Sequence, residues 1–398
     1  TDHPRGIPTR SRPKCRPTRI RKSCKMSGKE TPTGGGIPWR KRMAMSAFAR
    51  WRHAQARLHP LTYLFWECTL RCNLACRHCG SDCHVSSQQP DMPLEDFLAV
   101  LDRVATISDP AKTLIAITGG EPLVRDDLAA CGRAISERGF PWGMVTNGWA
   151  LDQKQLDGLL ASGLRALTVS LDGLEDSHDW LRGRAGSYRR ALAAIRCVST
   201  VPQIAFDIVT CVTPRNIGEL PALREVLIDA GVPAWRIFNV FAKGRAATDP
   251  ELVTDGGLLK KTLDYVCQAR GSGGLRVNYA CEGYLGPYEY EARDGFYNCR
   301  AGTNIASVLA DGSISACPSL RGDFIQGNMY RDDFVDVWNT RYHNMRDRTW
   351  LRTGICRECS SWKWCEGNAL HLRDDAGHLA RCHLALLEEA EGTGTSCR

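Results

Sequence analysis

The chain has 398 residues, 43% of them hydrophobic, with 19 cysteines, 37 glycines and a formal net charge of +8. This length allows two or three domains with separate cores, and the composition excludes a disordered or collagen-like chain. No run of eighteen apolar residues occurs, which excludes a transmembrane helix, and no secretory segment is visible, so a cytoplasmic location is expected.

The charge is unevenly placed. Residues 1–52 contain fifteen Lys and Arg against Asp2 and Glu30, a balance of +13 that leaves −5 for the rest. This stretch is rich in Pro, Gly and Arg and has no hydrophobic period, so residues 1–58 read as a basic, disordered leader. Residues 43–58 have the spacing of a short basic helix. A nucleic-acid or membrane-surface arm is the functional reading. A solvated leader, or sequence upstream of a start near Met26, Met43 or Met45, is the plainer and preferred one. Neither a nucleic-acid partner nor a membrane span is expected.

From residue 61 strands and helices alternate. "LTYLFWE" reads as a strand, "LEDFLAVLDRVATI" as a helix, "TLIAIT" as a strand and "LVRDDLAACGRAISERG" as a helix. The pattern repeats through "PWGMVTN", "ALTVSLD", "IAFDIVTCVT" and "AWRIFNVF", each followed by a helical segment. Six such strands, apolar on both faces, imply right-handed βαβ units and a parallel sheet of the α/β class. Ligands in such folds gather at the carboxyl ends of the strands. Cysteines follow the first strand, "GGEP" the second, "NG" the third and "DG" the fourth, so the chemistry-bearing residues share one rim.

Five cysteines, Cys68, Cys72, Cys76, Cys79 and Cys83, crowd "ECTLRCNLACRHCGSDC". In a reducing compartment a disulfide knot is disfavoured and metal ligation leads. Cys72, Cys76 and Cys79 are spaced C-x3-C-x2-C, which suits three corners of a 4Fe–4S cube with the fourth iron open. A structural zinc site would more often show two C-x2-C pairs. Cys68 and Cys83 read as packing or loop thiols.

These motifs together resemble the radical S-adenosylmethionine (SAM) enzymes. "CNLACRHC" is similar to that family's cluster loop, with His78 where an aromatic residue often stands. "GGEP" resembles the segment that meets the methionine amino group of SAM, which implicates Gly119, Gly120 and Glu121. "SLDG" with Arg182, twelve residues after Ser170, resembles the ribose and carboxylate contacts, which implicates Ser170 and Asp172; Asn147 joins them on the rim. The resemblance implies a partial (β/α)6 TIM-like barrel over residues 59–270. It also implies reductive cleavage of SAM to methionine and a 5′-deoxyadenosyl radical, an anaerobic setting, and a flavodoxin- or ferredoxin-type electron donor. "LFWECTLRCNL…CRHCGSDC" also resembles a branch of these enzymes found in lipoprotein gene neighbourhoods. No residue beyond the cofactor set is assigned a catalytic role.

Residues 271–398 carry a second constellation and are expected to form a small, irregular cysteine-rich α+β domain. It resembles the SPASM extension, which carries auxiliary iron–sulfur clusters, so one or two such clusters are implied. Family architecture groups Cys356, Cys359, Cys365 and Cys382 around one cluster; a zinc ribbon is the alternative for the same four. Cys299 and Cys317 join the other. Four residues after Cys365 the family has a further cysteine, and here Ala369 stands. Cys281 is the best extra thiol, with water, substrate or His371 at the remaining position.

The resemblance implies a peptide or protein substrate, held by the barrel mouth, the C-terminal domain or another protein. A sulfatase-maturing or tetrapyrrole-modifying enzyme is the alternative within the class. A non-catalytic iron–sulfur scaffold or electron carrier is the alternative outside it, disfavoured because such a protein has no use for a SAM pocket.

Overall fold

The computed structural model describes residues 37–280, 283–374 and 377–392. Its centre is one ten-stranded sheet in the order β10-β9-β8-β1-β2-β3-β4-β5-β6-β7. The strands are β1 (Tyr63–Thr69), β2 (Leu114–Gly119), β3 (Trp142–Thr146), β4 (Leu164–Ser170), β5 (Ala205–Val212), β6 (Ala234–Asn239), β7 (Arg276–Tyr279), β8 (Ile305–Val308), β9 (Ser313–Ser315) and β10 (Gly327–Asn328). Every pair from β1 to β7 is parallel. The first six strands are those expected.

The helices are α1 (Trp39–Leu58), α2 (Leu94–Val104), α3 (Leu128–Glu137), α4 (Gln153–Ala161), α5 (Glu175–Arg182), α6 (Ser187–Ser199), α7 (Leu220–Asp229) and α8 (Gly256–Gly271), then α9 (Phe334–Thr340), α10 (His343–Arg346), α11 (Trp362–Cys365) and α12 (His383–Ala390). Asp152 and Asp255 start α4 and α8 by accepting from the amides of Gln155 and Leu258, which satisfies orphan N–H groups of the first turn. No described helix is long and apolar enough to cross a membrane.

The apolar strand faces meet the helices in one continuous core. Trp66 of β1 stacks on Phe97 of α2 with ring centroids 4.3 Å apart. Trp142 of β3 lies over Gly132 of α3, where a Cβ would fall 2.2 Å from the indole. Burying each such aromatic contributes on the order of 2–3 kcal/mol, which holds the strand ends in a fixed register.

The C-terminal region adds strands to the same sheet: β7 extends it beyond β6, and β8 pairs in parallel with β1 on the other side. The structure differs from the sequence reading at the leader. The leader is helical from Trp39 rather than disordered to residue 58, because α1 has a surface to pack on. Its Met45 and Ala49 are buried, and Arg52 donates to the carbonyls of Tyr297 (3.3 Å) and Trp364 (2.8 Å). The disorder expected for residues 1–36 and the ligand role of Cys281 fall outside the described residues.

Candidate active site

The C-terminal ends of β1 to β5 converge on one rim. The loop after β1 carries Cys72, Cys76 and Cys79, which pack with Leu74 and Cys83 into a small buried cluster. Burial pushes the Cys72 thiol up to about 11. Burial also raises Cys76, against the pull of the Arg182 guanidinium. Cys79 is shifted the other way, because the thiol and amide of Cys83 donate to it. Cys83 therefore lies against the triplet without extending its spacing, while Cys68 is buried in the main core.

Distant segments clamp this loop. Arg245, after β6, donates to the carbonyls of Cys76 (2.7 Å) and Cys83 (2.9 Å), and its amide donates to that of Cys79 (3.0 Å). Arg184 donates to the Asn73 carbonyl at 2.6 Å. Arg77 forms ion pairs with Asp249 and Glu251. None of these arginines was visible as functional in the sequence, because no local motif marks "KGRAATDPE" as a partner of a loop 160 residues away.

The "GGEP" turn presses against the loop. A Cβ on Gly119 would fall 2.1 Å from the Thr69 carbonyl oxygen, and one on Gly120 would fall 2.1 Å from that of Arg71. Only glycine allows so close an approach. Glu121 is 1% exposed. Its carboxylate accepts from the Asn147 amide (2.7 Å), the Thr146 hydroxyl (2.7 Å) and the Leu123 amide (3.2 Å). It thus ties the end of β2 to the end of β3. Asn147 reaches on, donating to the Asn73 side chain (2.7 Å), with its Nδ2 also 3.9 Å from the Cys72 sulfur.

Ser170 closes β4, and Asp172 follows two residues later, fully buried. Asp172 accepts from the Cys211 amide (2.8 Å) and pairs with Arg182 at 2.6 Å. Arg182, the last residue of α5, also places Nη1 3.8 Å from the Cys76 sulfur. Burial works against the charge on both, yet the pair holds Asp172 low and Arg182 high. Burial keeps His78 neutral, held down to about 4, and it lies 3.9 Å from Asp172. His178, which the sequence reading missed, accepts from the Asp172 amide at 3.0 Å and is likewise held down to about 4 by burial.

The structure therefore links the expected residues through direct contacts: Cys72 to Asn147, Asn147 to Glu121, Cys76 to Arg182 and Arg182 to Asp172. Three thiols in one buried pocket suit three irons of a cube. Arg182 Nε and His78 Nδ1 are buried there with no hydrogen-bond partner among the described residues, as expected of groups that face a ligand. The donor set fits a 4Fe–4S cluster with SAM beside it.

The C-terminal cysteines divide into two groups. Cys356, Cys359, Cys365 and Cys382 line one cavity of about 400 Å³, together with Tyr284 and Asn368. Burial raises Cys365, and the neighbouring Cys382, Cys356 and Cys359 raise it further, so the four face one another. That set fits a second cluster. Cys299 and Cys317 instead border the main core. Ala369 is buried beside Tyr284, Tyr297 and Trp364, and the His371 ring lies 4.7 Å from that of Phe241.

A parallel α/β sheet with a cysteine triplet on its C-terminal rim, continued by a cysteine-lined cavity, defines an iron–sulfur protein of the radical type. The family model described as "Radical SAM superfamily" matches residues 66–226, and that of the SPASM "Iron-sulfur cluster-binding domain" matches residues 299–360. The chain thus carries a radical SAM domain followed by a SPASM domain. Its cofactors are accordingly a 4Fe–4S cluster, SAM and auxiliary iron–sulfur chemistry in the SPASM region.

Among curated proteins it is similar to the AdoMet-dependent heme synthase of Nitratidesulfovibrio vulgaris, with 26% identity over 76% of this chain and 85% of that one. It is also similar to the PqqA peptide cyclase of Rhizobium meliloti, with 24% identity over 80% and 86%. Among solved structures, Streptococcus suis SuiB bound to S-adenosylmethionine shares the fold, with a TM-score of 0.64, 19% identity and coverage of 82% and 77%.

Proposed function

We propose that Cys72, Cys76 and Cys79 hold the SAM-binding cluster and that SAM lies along the ends of β2 to β5. There the enzyme abstracts a hydrogen atom from an organic substrate. The observation that supports this most is the convergence of the three thiols with the buried Arg182–Asp172 pair and the close-packed Gly119–Gly120 backbone. When bound, the cluster and SAM supply the one-electron chemistry that yields a 5′-deoxyadenosyl radical.

The chain's own residues bind, orient and exclude water. Arg182 offers an unpartnered Nε and a fixed positive charge, and Asp172 prevents it from turning away. Asn147 and Ser170 supply neutral polar groups at the same rim. Glu121 positions the "GGEP" turn through its three donors, and the backbone of that turn then faces the ligand. Arg245, Arg184 and Arg77 hold the cluster loop closed over the site, and a dry site strengthens each of these contacts.

The substrate we infer is a peptide or protein, which the likeness to the PqqA peptide cyclase supports. A tetrapyrrole is the second reading, favoured by the likeness to the AdoMet-dependent heme synthase. A low-potential flavodoxin or ferredoxin would deliver the electron, in a reducing cytoplasm that keeps the thiols free.

The test is formation of 5′-deoxyadenosine by anaerobically reconstituted protein with dithionite. Cys72→Ala/Cys76→Ala/Cys79→Ala should abolish it and leave the C-terminal iron in place. Product from the triple variant would remove the assignment. Stimulation of SAM turnover by a porphyrin, and not by peptides, would select the second substrate reading.

A further inference from the structure

The two sides of α1 are used differently. The inner side is tied to the protein along its length. Met45 and Ala49 are buried, and Arg52 holds the carbonyls of Tyr297 and Trp364. Lys41 donates to the Pro287 carbonyl at 2.7 Å, and the Trp364 indole donates to the Ser46 hydroxyl at 3.2 Å. The helix therefore cannot roll to hide its outer side. There Trp39, Met43, Ala47 and Trp51 follow at steps of four, and Leu58 comes seven residues later. At 3.6 residues per turn they form one stripe opposite Met45, Ala49 and Arg52. Trp39 is 65% exposed, Met43 62%, Trp51 48% and Leu58 70%. The stripe widens sideways through touching rings: Trp51 lies 5.1 Å from Phe48, Phe48 lies 5.7 Å from Phe296, and Phe296 lies 5.7 Å from the exposed Tyr290.

Charge selects the occupant. α1 has no acidic residue, and the exposed Arg40, Arg50 and Arg57 stand within the apolar stripe itself. None of the three forms an ion pair among the described residues, whereas Lys41 and Arg52 on the inner side pair with Glu291 and Glu366. The Arg40 guanidinium lies over the Trp39 ring, 5.5 Å from its centroid. The segment that runs into the helix has the same sign: residues 1–36 hold ten Lys and Arg against Asp2 and Glu30. A protein groove that covered the stripe would bury three guanidinium groups together with it. A nucleic acid would take the arginines and stack on the tryptophans but has nothing for Met43 and Leu58. A lipid surface with anionic headgroups accepts all of them: arginine pairs with the phosphates, indole rings favour the interface, and apolar side chains enter the acyl boundary.

We propose that α1 docks this enzyme on an anionic lipid surface, lying in the plane of the interface. Trp39, Met43, Trp51 and Leu58 enter the boundary between headgroups and acyl chains, and Arg40, Arg50 and Arg57 meet the phosphates. The attachment is peripheral, since no described helix is long and apolar enough to cross a membrane. Because the inner side of α1 is bonded to Tyr297 and Trp364, a docked helix brings the C-terminal region to the surface with it. The inference rests on α1 and is independent of the cluster and substrate assignments.

The experiment is anaerobic co-sedimentation of the full, reconstituted chain with vesicles of phosphatidylcholine, pure or mixed equally with phosphatidylglycerol. The wild type should sediment with the mixed vesicles and not with the pure ones, and less so as salt rises. Trp39→Ser/Met43→Ser/Trp51→Ser keeps every charge of the chain and should bind at least about tenfold more weakly. Arg40→Gln/Arg50→Gln/Arg57→Gln should weaken binding on the order of a hundredfold at low salt. All six residues are exposed, so both variants should keep the wild-type unfolding midpoint and SAM cleavage, which separates loss of docking from loss of fold. Failure of the wild type to sediment with the mixed vesicles overturns the proposal. So does equal binding by the Trp39/Met43/Trp51 variant, which would assign attachment to the basic segment before α1. Capture of a single-stranded oligonucleotide without vesicle binding would give the surface to nucleic acid instead.

Discussion

Glu121→Gln separates two roles for the carboxylate of "GGEP". If its work is to meet the ammonium of SAM, losing the charge should weaken SAM binding and leave the fold alone. The structure assigns it internal work as well, because three protein donors converge on it. A glutamine has one acceptor oxygen in place of two. Kept toward the Asn147 amide, that oxygen preserves the bond linking β2 to β3. The new NH2 then faces the Thr146 hydroxyl and the Leu123 amide. The hydroxyl can rotate to accept, but the Leu123 N–H cannot, and a donor is left facing a donor in a site that is 1% exposed. Losing a hydrogen bond to a charged acceptor and orphaning its buried donor costs about 2 kcal/mol, roughly thirtyfold in the unfolding constant. The assay is urea unfolding followed by tryptophan fluorescence, paired with SAM titration of the reconstituted protein. Both the unfolding midpoint and the affinity should fall. An unchanged midpoint with weakened SAM binding would refute the internal role and leave direct contact as the explanation.

Three further outcomes are expected. Gly119→Ala and Gly120→Ala each drive a Cβ to 2.1 Å from a backbone oxygen of the β1 end or the cluster loop, so the turn must retreat; SAM affinity should fall at least tenfold in either variant, measured by titration calorimetry. Cys356→Ala/Cys359→Ala should remove about four irons while the SAM-binding cluster persists by Mössbauer spectroscopy; retention of all iron would exclude these thiols as ligands. The third outcome concerns pH. Burial holds His178 down to about 4 from its ordinary 6.5, so between these values the unfolded chain binds a proton that the folded chain does not. Stability must fall as pH drops through this window, by about 2 kcal/mol at pH 5 from this residue. His178→Asn, which keeps an acceptor near the Asp172 amide, should flatten the fall in denaturant midpoint between pH 7 and pH 5; an equally steep fall would show that other groups carry it.

Much of the site was readable along the chain because the chemistry is local. Cys72, Cys76 and Cys79 lie on one short loop, and "GGEP", "NG" and "SLDG" each close a parallel strand. A parallel sheet brings all its strand ends to the same rim, so strand order sufficed to gather Gly119, Glu121, Asn147, Ser170 and Asp172. The grouping of Cys356, Cys359, Cys365 and Cys382 came from the family resemblance, and the structure places all four on one cavity. What the sequence could not convey is how each side chain spends its hydrogen bonds. Glu121 looked like a ligand contact, and its three donors come from residues up to 26 positions away.

The sequence by itself determined the class of fold, the cluster loop and the rim on which SAM chemistry can occur, because period, spacing and strand order are properties of neighbouring residues. Tertiary structure alone decided that α1 docks through Arg52, that β8 closes on β1, and that Arg245 reaches back to the cluster loop. It also decided that the Arg348 guanidinium donates to the Cys299 carbonyl, 49 residues away. These are long-range pairings, set by how distant segments pack in space and not by neighbours along the chain.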